Sequence, residues 1–267
     1  MQIHFRNTDK SNLCNTKRQN TSFKAVPLAK YSYLNNLKKD VFIYKLEKSD
    51  VNYLQNILKN ISKFFAKFEI NDESTREIFE ASVEAAIKLF NTPESTDDKT
   101  KILLAMHDDQ PSAILIGNVL KTDKKGDLHY SSRKNHAKNE TELDALATWD
   151  NSVPGEGKAI LCEFFHTAID DGFKHVYVRS EIPKYSYAVE FYKKMGFEVL
   201  SKNSRQMIRE NENSYLLDIF DYGDSQIVPM KATVQDIIKT TYKRGKELKR
   251  KPLKVLSSMN LPKIDFD

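Results

Sequence analysis

The sequence predicts an α+β fold: one mixed sheet with helices packed on it, in an α/β/α layering. Three observations carry that prediction. Apolar spacing alternates between period two and period 3.6 along one chain of 267 residues. The resulting order is strand, two helices, three strands, helix, strand, helix, then further strands, which suits a single sheet rather than a bundle or a sandwich. No internal repeat is visible, and 40% hydrophobic residues are enough to bury a sizeable core.

Residues 1–40 are rich in Asn, Lys, Ser and Thr, show little apolar periodicity, and read as a flexible basic arm. Order begins at Val41–Leu46, a short β-rich run. Ser49 or Asp50 caps a helix whose apolar positions run from Val51 to Phe68. A second helix carries Ile78, Phe79, Val83, Ile87 and Phe90 on one side, and Pro93 ends it. Lys101–Met106 and Ala113–Leu120 flank the turn-forming HDDQPS and predict a hairpin. The polar segment 121–141 reads as a long loop. Glu142–Trp149 returns to strand character, and a helix follows over 157–171, stopped by Gly172. His175–Arg179 is a strand, Tyr187–Met195 a short helix ended by Gly196, and Tyr215–Tyr222 a last strand. Residues 232–250 read as a basic helix, with a loose tail beyond Pro252. The expected organisation is an arm over 1–40, a domain over 41–230, and a basic helix and tail over 231–267.

Charge is unevenly placed. Residues 1–40 carry +6 and residues 231–254 carry +7, which leaves −7 on 41–230 within a net +5. An acidic centre suits a cationic substrate, and the basic arms leave a nucleic-acid contact open without a recognition motif to favour it. No apolar run reaches the roughly 20 residues of a transmembrane helix, and the first twenty residues lack the apolar core of a secretory signal. Cys14 and Cys162 show no paired spacing. A reducing, cytoplasmic setting is the expectation, with delivery of a bacterial effector into a host left open. The six histidines show no metal-ligand spacing, so no metal is expected.

Two segments carry chemistry. The first is Pro154-Gly155-Glu156-Gly157-Lys158-Ala159, a glycine loop between a strand and an amphipathic helix. There, unpaired backbone N–H groups and the helix dipole favour anionic oxygens. It lacks the third glycine of a dinucleotide fingerprint and the Gly-Lys-Ser/Thr of a P-loop, and taken alone it reads first as a plain strand-to-helix turn. The second is Ala188-Val189-Glu190-Phe191-Tyr192-Lys193-Lys194-Met195-Gly196-Phe197, about thirty residues on. Together, at this spacing, the pair resembles the Gcn5-related N-acetyltransferase (GNAT) superfamily. The motif match covers 142–200, and the element order extends it to about 41–222.

The resemblance implies a mostly antiparallel sheet with a splayed central parallel pair, here Glu142–Trp149 and His175–Arg179. It also implies acetyl-CoA as co-substrate, with its pyrophosphate on the loop amides and its pantetheine between the splayed strands. On that reading Ala147, Thr148, Gly155, Gly157, Lys158, Ala159 and Tyr192 contact the cofactor. Tyr192 protonates the leaving thiolate, and the acceptor amine attacks the thioester directly. Asp144, which falls where many relatives carry Glu, is the leading general base, directly or through water, with Glu142 the other candidate; the two alternate along one strand and so point to one face. The chain departs from the family pattern at Pro154, where Gln or Arg is usual, and at Tyr185, where Asn is common. The expected activity is acetyl transfer to an amine, either a small cationic compound or a protein amine. Two other readings stay open: a catalytically degenerate coenzyme A-binding or interaction protein, and a toxin-like acetyltransferase acting on charged tRNA. The oligomeric state is not indicated.

Overall fold

The computed structural model describes residues 24–33, 40–92, 100–108, 110–119, 140–148, 155–181, 188–199, 221–222, 225–238, 248–253 and 259–260. Strands β1 (Lys24–Tyr33) and β2 (Val41–Lys45) come first. Helices α1 (Val51–Lys59), α2 (Ile61–Lys67) and α3 (Glu73–Asn91) follow. The hairpin is β3 (Lys101–His107) and β4 (Gln110–Val119). Then come β5 (Glu140–Thr148), α4 (Glu156–Asp170), β6 (His175–Glu181) and α5 (Ala188–Lys194). The described remainder is β7 (Glu198–Val199), β8 (Asp221–Tyr222), β9 (Ser225–Thr233), β10 (Leu248–Pro252) and β11 (Met259–Asn260).

The strands form one sheet in the order β10-β1-β2-β3-β4-β5-β6-β9-β7, with β11 on β1 and β8 on β9. Every described pairing is antiparallel except β5 with β6. Helices cover both faces. On one face α1, α2 and α3 bury Leu54, Ile57, Phe64, Phe79 and Val83 against Ile102, Leu104, Ile114 and Ile116. On the other, α4 and α5 bury Ile160, Phe164, Phe165 and Tyr192 against Leu103, Ala105, Leu115 and Val178. That sandwiching explains why all seven residues of β3 are buried and why Ile102–Met106 reads as a continuous apolar run.

Local chemistry sets the element ends. Asp72 caps α3, its carboxylate accepting from the Thr75 amide at 2.7 Å. Gly172 (φ 80°) stops α4, with the Phe173 amide donating back to the Ala168 carbonyl at 2.8 Å. Gly196 (φ 98°) ends α5 in the same way, through Phe197 and Tyr192.

Five expectations need correction. The basic arm is not wholly outside the fold. Within it, β1 buries Ala25, Pro27, Ala29 and Tyr31 at period two, while the residues between them are half-buried. Small side chains and interspersed lysines hid that alternation. The basic helix over 232–250 is instead the end of β9, a helical turn over 234–238 and the start of β10; residues 239–247 lie outside the described ones. Strand β10 buries Leu248, exposes Lys249 and half-buries Arg250, a period-two pattern, and β10 and β11 both pair with β1 rather than hanging loose. The helix expected over 51–68 is two, because Asn60 leaves helical geometry (φ −113°, ψ 27°) and donates its amide to the Asn56 carbonyl at 2.9 Å. Ile78 is 47% exposed rather than on the packed side of α3. The strand expected over 215–222 is described only at Asp221–Tyr222, and Tyr185, Trp149, Pro154 and most of 121–141 lie outside the described residues.

Candidate functional site

The centre of the sheet opens where the sequence pointed. Strands β5 and β6 pair in parallel only from Glu140↔His175 to Leu143↔Val178. Beyond that, β5 stays bonded to β4 as far as Thr148↔Ala113, and β6 stays bonded to β9 as far as Glu181↔Ile227. Each strand keeps its outer neighbour and loses its inner one, so a wedge opens between Asp144–Thr148 and the end of β6.

A β-bulge sits where the pair opens. Gly117 faces Leu143 and its chain neighbour Ile116 faces Ala145, so Asp144 is an extra residue in β5. A bulge raises local twist and bends the bulged strand. It also breaks the alternation of faces: Leu143 packs under α4 and α5, whereas Ala145, two residues on, packs under α1–α3. Gly117 permits the close approach, since a Cβ there would stand 2.0 Å from Phe164 Cε2.

The open end of the wedge leads to the glycine loop. Gly155, with φ 99°, is the N-cap of α4 in a left-handed conformation that suits glycine. A Cβ on Gly157 would lie 3.1 Å from Thr148 Cγ2 and 3.8 Å from Phe191 Cζ. The end of β5, the start of α4 and the start of α5 therefore meet at one point, although their residues span more than forty positions. The amides of Gly155, Gly157 and Lys158 lie in the first turn, where a helix offers no internal acceptor. Ala159 departs from expectation: its amide already donates to the Gly155 carbonyl at 2.9 Å, and its side chain is fully buried. The candidate cradle is thus the first turn alone.

Neither a family model nor a curated protein matches the sequence. Solved structures do. An uncharacterized protein from Bacillus halodurans superposes with a TM-score of 0.50 at 12% identity, covering 83% of this chain and 98% of its own. The PaiA N-acetyltransferase from Thermoplasma acidophilum, in complex with coenzyme A, gives 0.42 at 17% identity over 72% and 98%. An acetyltransferase of the GNAT family from Staphylococcus aureus Mu50 gives 0.41 at 16% over 73% and 99%. The chain shares its fold with the Bacillus halodurans protein. At these identities the likeness is one of architecture: mixed layers, a mostly antiparallel sheet and a parallel pair.

Within this fold the remaining predicted residues separate clearly. Tyr192 is buried in the α4–α5 layer, edge-on to Phe191 and Phe197 with centroids 5.3 Å away in each case. Burial pushes its phenol well above the ordinary value, so it stays protonated. Ala147 is buried under α1–α3, and Thr148 is exposed at the mouth of the wedge. Lys158 is half-buried.

The two carboxylates, expected to share a face and a role, differ in environment. Asp144 sits on the bulge and is exposed. Glu142 is buried one residue before the wedge opens, and burial first, then the neighbouring Asp144 charge, pushes its carboxyl up to about 8. A carboxyl in that range can gain and lose a proton near neutrality. The bulge, invisible in a strand pattern, is what separates them.

Two further clusters were missed by sequence reasoning. Glu163 of α4, 2% exposed, takes a bidentate contact from Arg250 (2.7 and 2.9 Å) and a hydrogen bond from the Tyr31 hydroxyl at 2.8 Å. Glu156 in the loop is buried against His107. An acidic residue on an otherwise apolar helix face was the available signal for both.

Proposed function

We propose that this protein is an acetyl-CoA-dependent N-acetyltransferase acting on an amine. The observation that carries the proposal is the wedge that opens after Leu143 and Val178 and ends on the first turn of α4. A slot between strands suits an extended thioester arm, whose amides can use the strand-edge groups left without an inner neighbour. The first turn of α4, crowded against Thr148 at Gly157, suits a pyrophosphate held by main-chain donors. Bound acetyl-CoA supplies an activated acetyl thioester.

The chain's own residues then have distinct tasks. Glu142, with its proton affinity raised towards neutrality, takes the proton released as the acceptor nitrogen becomes nucleophilic. Tyr192, which burial keeps protonated, would supply the proton that the departing sulfur takes as the C–N bond forms and the C–S bond breaks. Asp144, exposed at the bulge, favours a cationic acceptor rather than serving as the base. The −7 on 41–230 favours the same class, either a small polyamine-like or amino-sugar compound or a protein amine.

The test is incubation with acetyl-CoA and a panel of amines, following free thiol release and the mass of the acceptor. An acceptor gaining 42 mass units, roughly the mass of an acetyl group replacing hydrogen, with matching thiol release supports the proposal. Tight coenzyme A binding without thiol release over a broad amine panel sinks it.

A further inference from the structure

The glycine loop contains an acidic residue where a phosphate is expected, and the fold deals with it. Glu156 is the first residue of α4, yet its carboxylate does not face outward: it is 2% exposed. It lies against His107 at the end of β3, with Nδ1 3.3 Å from Oε1. His107 is itself buried, and its other ring nitrogen stands 4.0 Å from the carboxylate of exposed Asp108. The contact joins residues 49 apart and sets the first turn of α4 beside the end of β3.

We propose that His107 is a positioning residue for the pyrophosphate cradle. By holding the Glu156 carboxylate inward, it keeps a negative charge out of the loop mouth and leaves the first-turn amides aimed at the anion. The inference rests on the acetyl-CoA reading above. Without the imidazole, the Glu156 carboxylate turns towards solvent to recover hydration. It then stands beside the same amides and competes with, and repels, the pyrophosphate.

The consequence is selective. His107→Leu should weaken coenzyme A binding about tenfold, corresponding to roughly 1.4 kcal/mol, and raise the KM for acetyl-CoA more than it lowers kcat. Binding of S-acetylpantetheine, which lacks the pyrophosphate, should not change. Adding Glu156→Gln to His107→Leu removes the exposed charge and should restore coenzyme A affinity. A residue that merely filled space would show neither the ligand discrimination nor the rescue. Calorimetric titration of the full chain with coenzyme A and with S-acetylpantetheine reads both. His107→Asn, shorter and polar, is run beside His107→Leu, so that a folding failure of the latter leaves the comparison intact. Equal weakening for both ligands overturns the proposal, as does failure of Glu156→Gln to restore affinity. No coenzyme A binding by the unaltered protein overturns the acetyl-CoA reading itself, and with it this inference.

Discussion

Glu142→Gln isolates a buried ionisable group at near-constant volume. The carboxyl's ordinary value is 4.5, and in the folded chain it rises to about 8, first through burial and then through Asp144. A raised value means that the folded state holds its proton more tightly than the unfolded state. Glu142 therefore costs nothing below about pH 4.5. Its cost grows as pH rises from there to about 8 and is complete above that. At 1.36 kcal/mol per pH unit, the interval corresponds to an upper bound of roughly 5 kcal/mol. Water entry and relaxation around the new charge bring the expected loss to about 2–4 kcal/mol. Glu142→Gln carries no such dependence, so its advantage over the unaltered protein should widen with pH. Urea unfolding at pH 5, 7 and 9 measures it. Activity should move the opposite way: kcat of the unaltered protein climbs through about pH 8, and Glu142→Gln is slower by ~10²–10⁴-fold with that rise gone. A stability difference that stays constant between pH 5 and 9 would refute the burial argument. A retained rise in kcat would remove Glu142 from the base role.

Tyr192→Phe should lower kcat by ~10²–10⁴-fold with little change in the KM for acetyl-CoA, because it removes one proton donor and keeps the packing with Phe191 and Phe197; steady-state kinetics decide it. Asp144→Asn should raise the KM for a cationic acceptor by up to about tenfold while leaving the pH profile in place, a contrast read in the same assay. Gly117→Ala should destabilise the fold by about 1–3 kcal/mol, since its Cβ meets the ring of fully packed Phe164 at 2.0 Å; the loss should shrink in a Phe164→Leu background when the two are compared by chemical unfolding. Arg250→Ala strands Glu163 in the core and should cost about 3–5 kcal/mol, whereas Arg250→Met with Glu163→Leu should recover most of it.

Much of the fold was legible because its strongest elements bury one face each. The runs Lys101–Met106 and Ala113–Leu120 became β3 and β4, and the helical spacing from Ile160 to Phe165 became the buried face of α4. The strands missed were those whose buried residues are small or whose alternation is interrupted by charge. In β1, Ala25, Pro27 and Ala29 bury little side chain each, so a composition rich in Lys and Asn dominated the reading. In β10, lysines flank Arg250, whose charge looked solvated but is spent on Glu163. Neither partner is near the other in sequence, so only the folded chain joins them.

The candidate site divides along the same line. Gly155, Gly157 and the Ala188–Phe197 segment announced a cradle and a neighbouring helix, because close approach and helix ends demand particular residues at fixed spacing. The sequence by itself therefore determined the layered fold and the glycine turn that opens α4. The tertiary structure alone decided which of two carboxylates is buried, through a bulge at Asp144 that depends on how β4 and β5 register. It alone buried Glu156, beside a histidine 49 positions earlier. Local spacing dictates backbone geometry over a few residues, but burial and charge pairing depend on what the rest of the chain brings alongside.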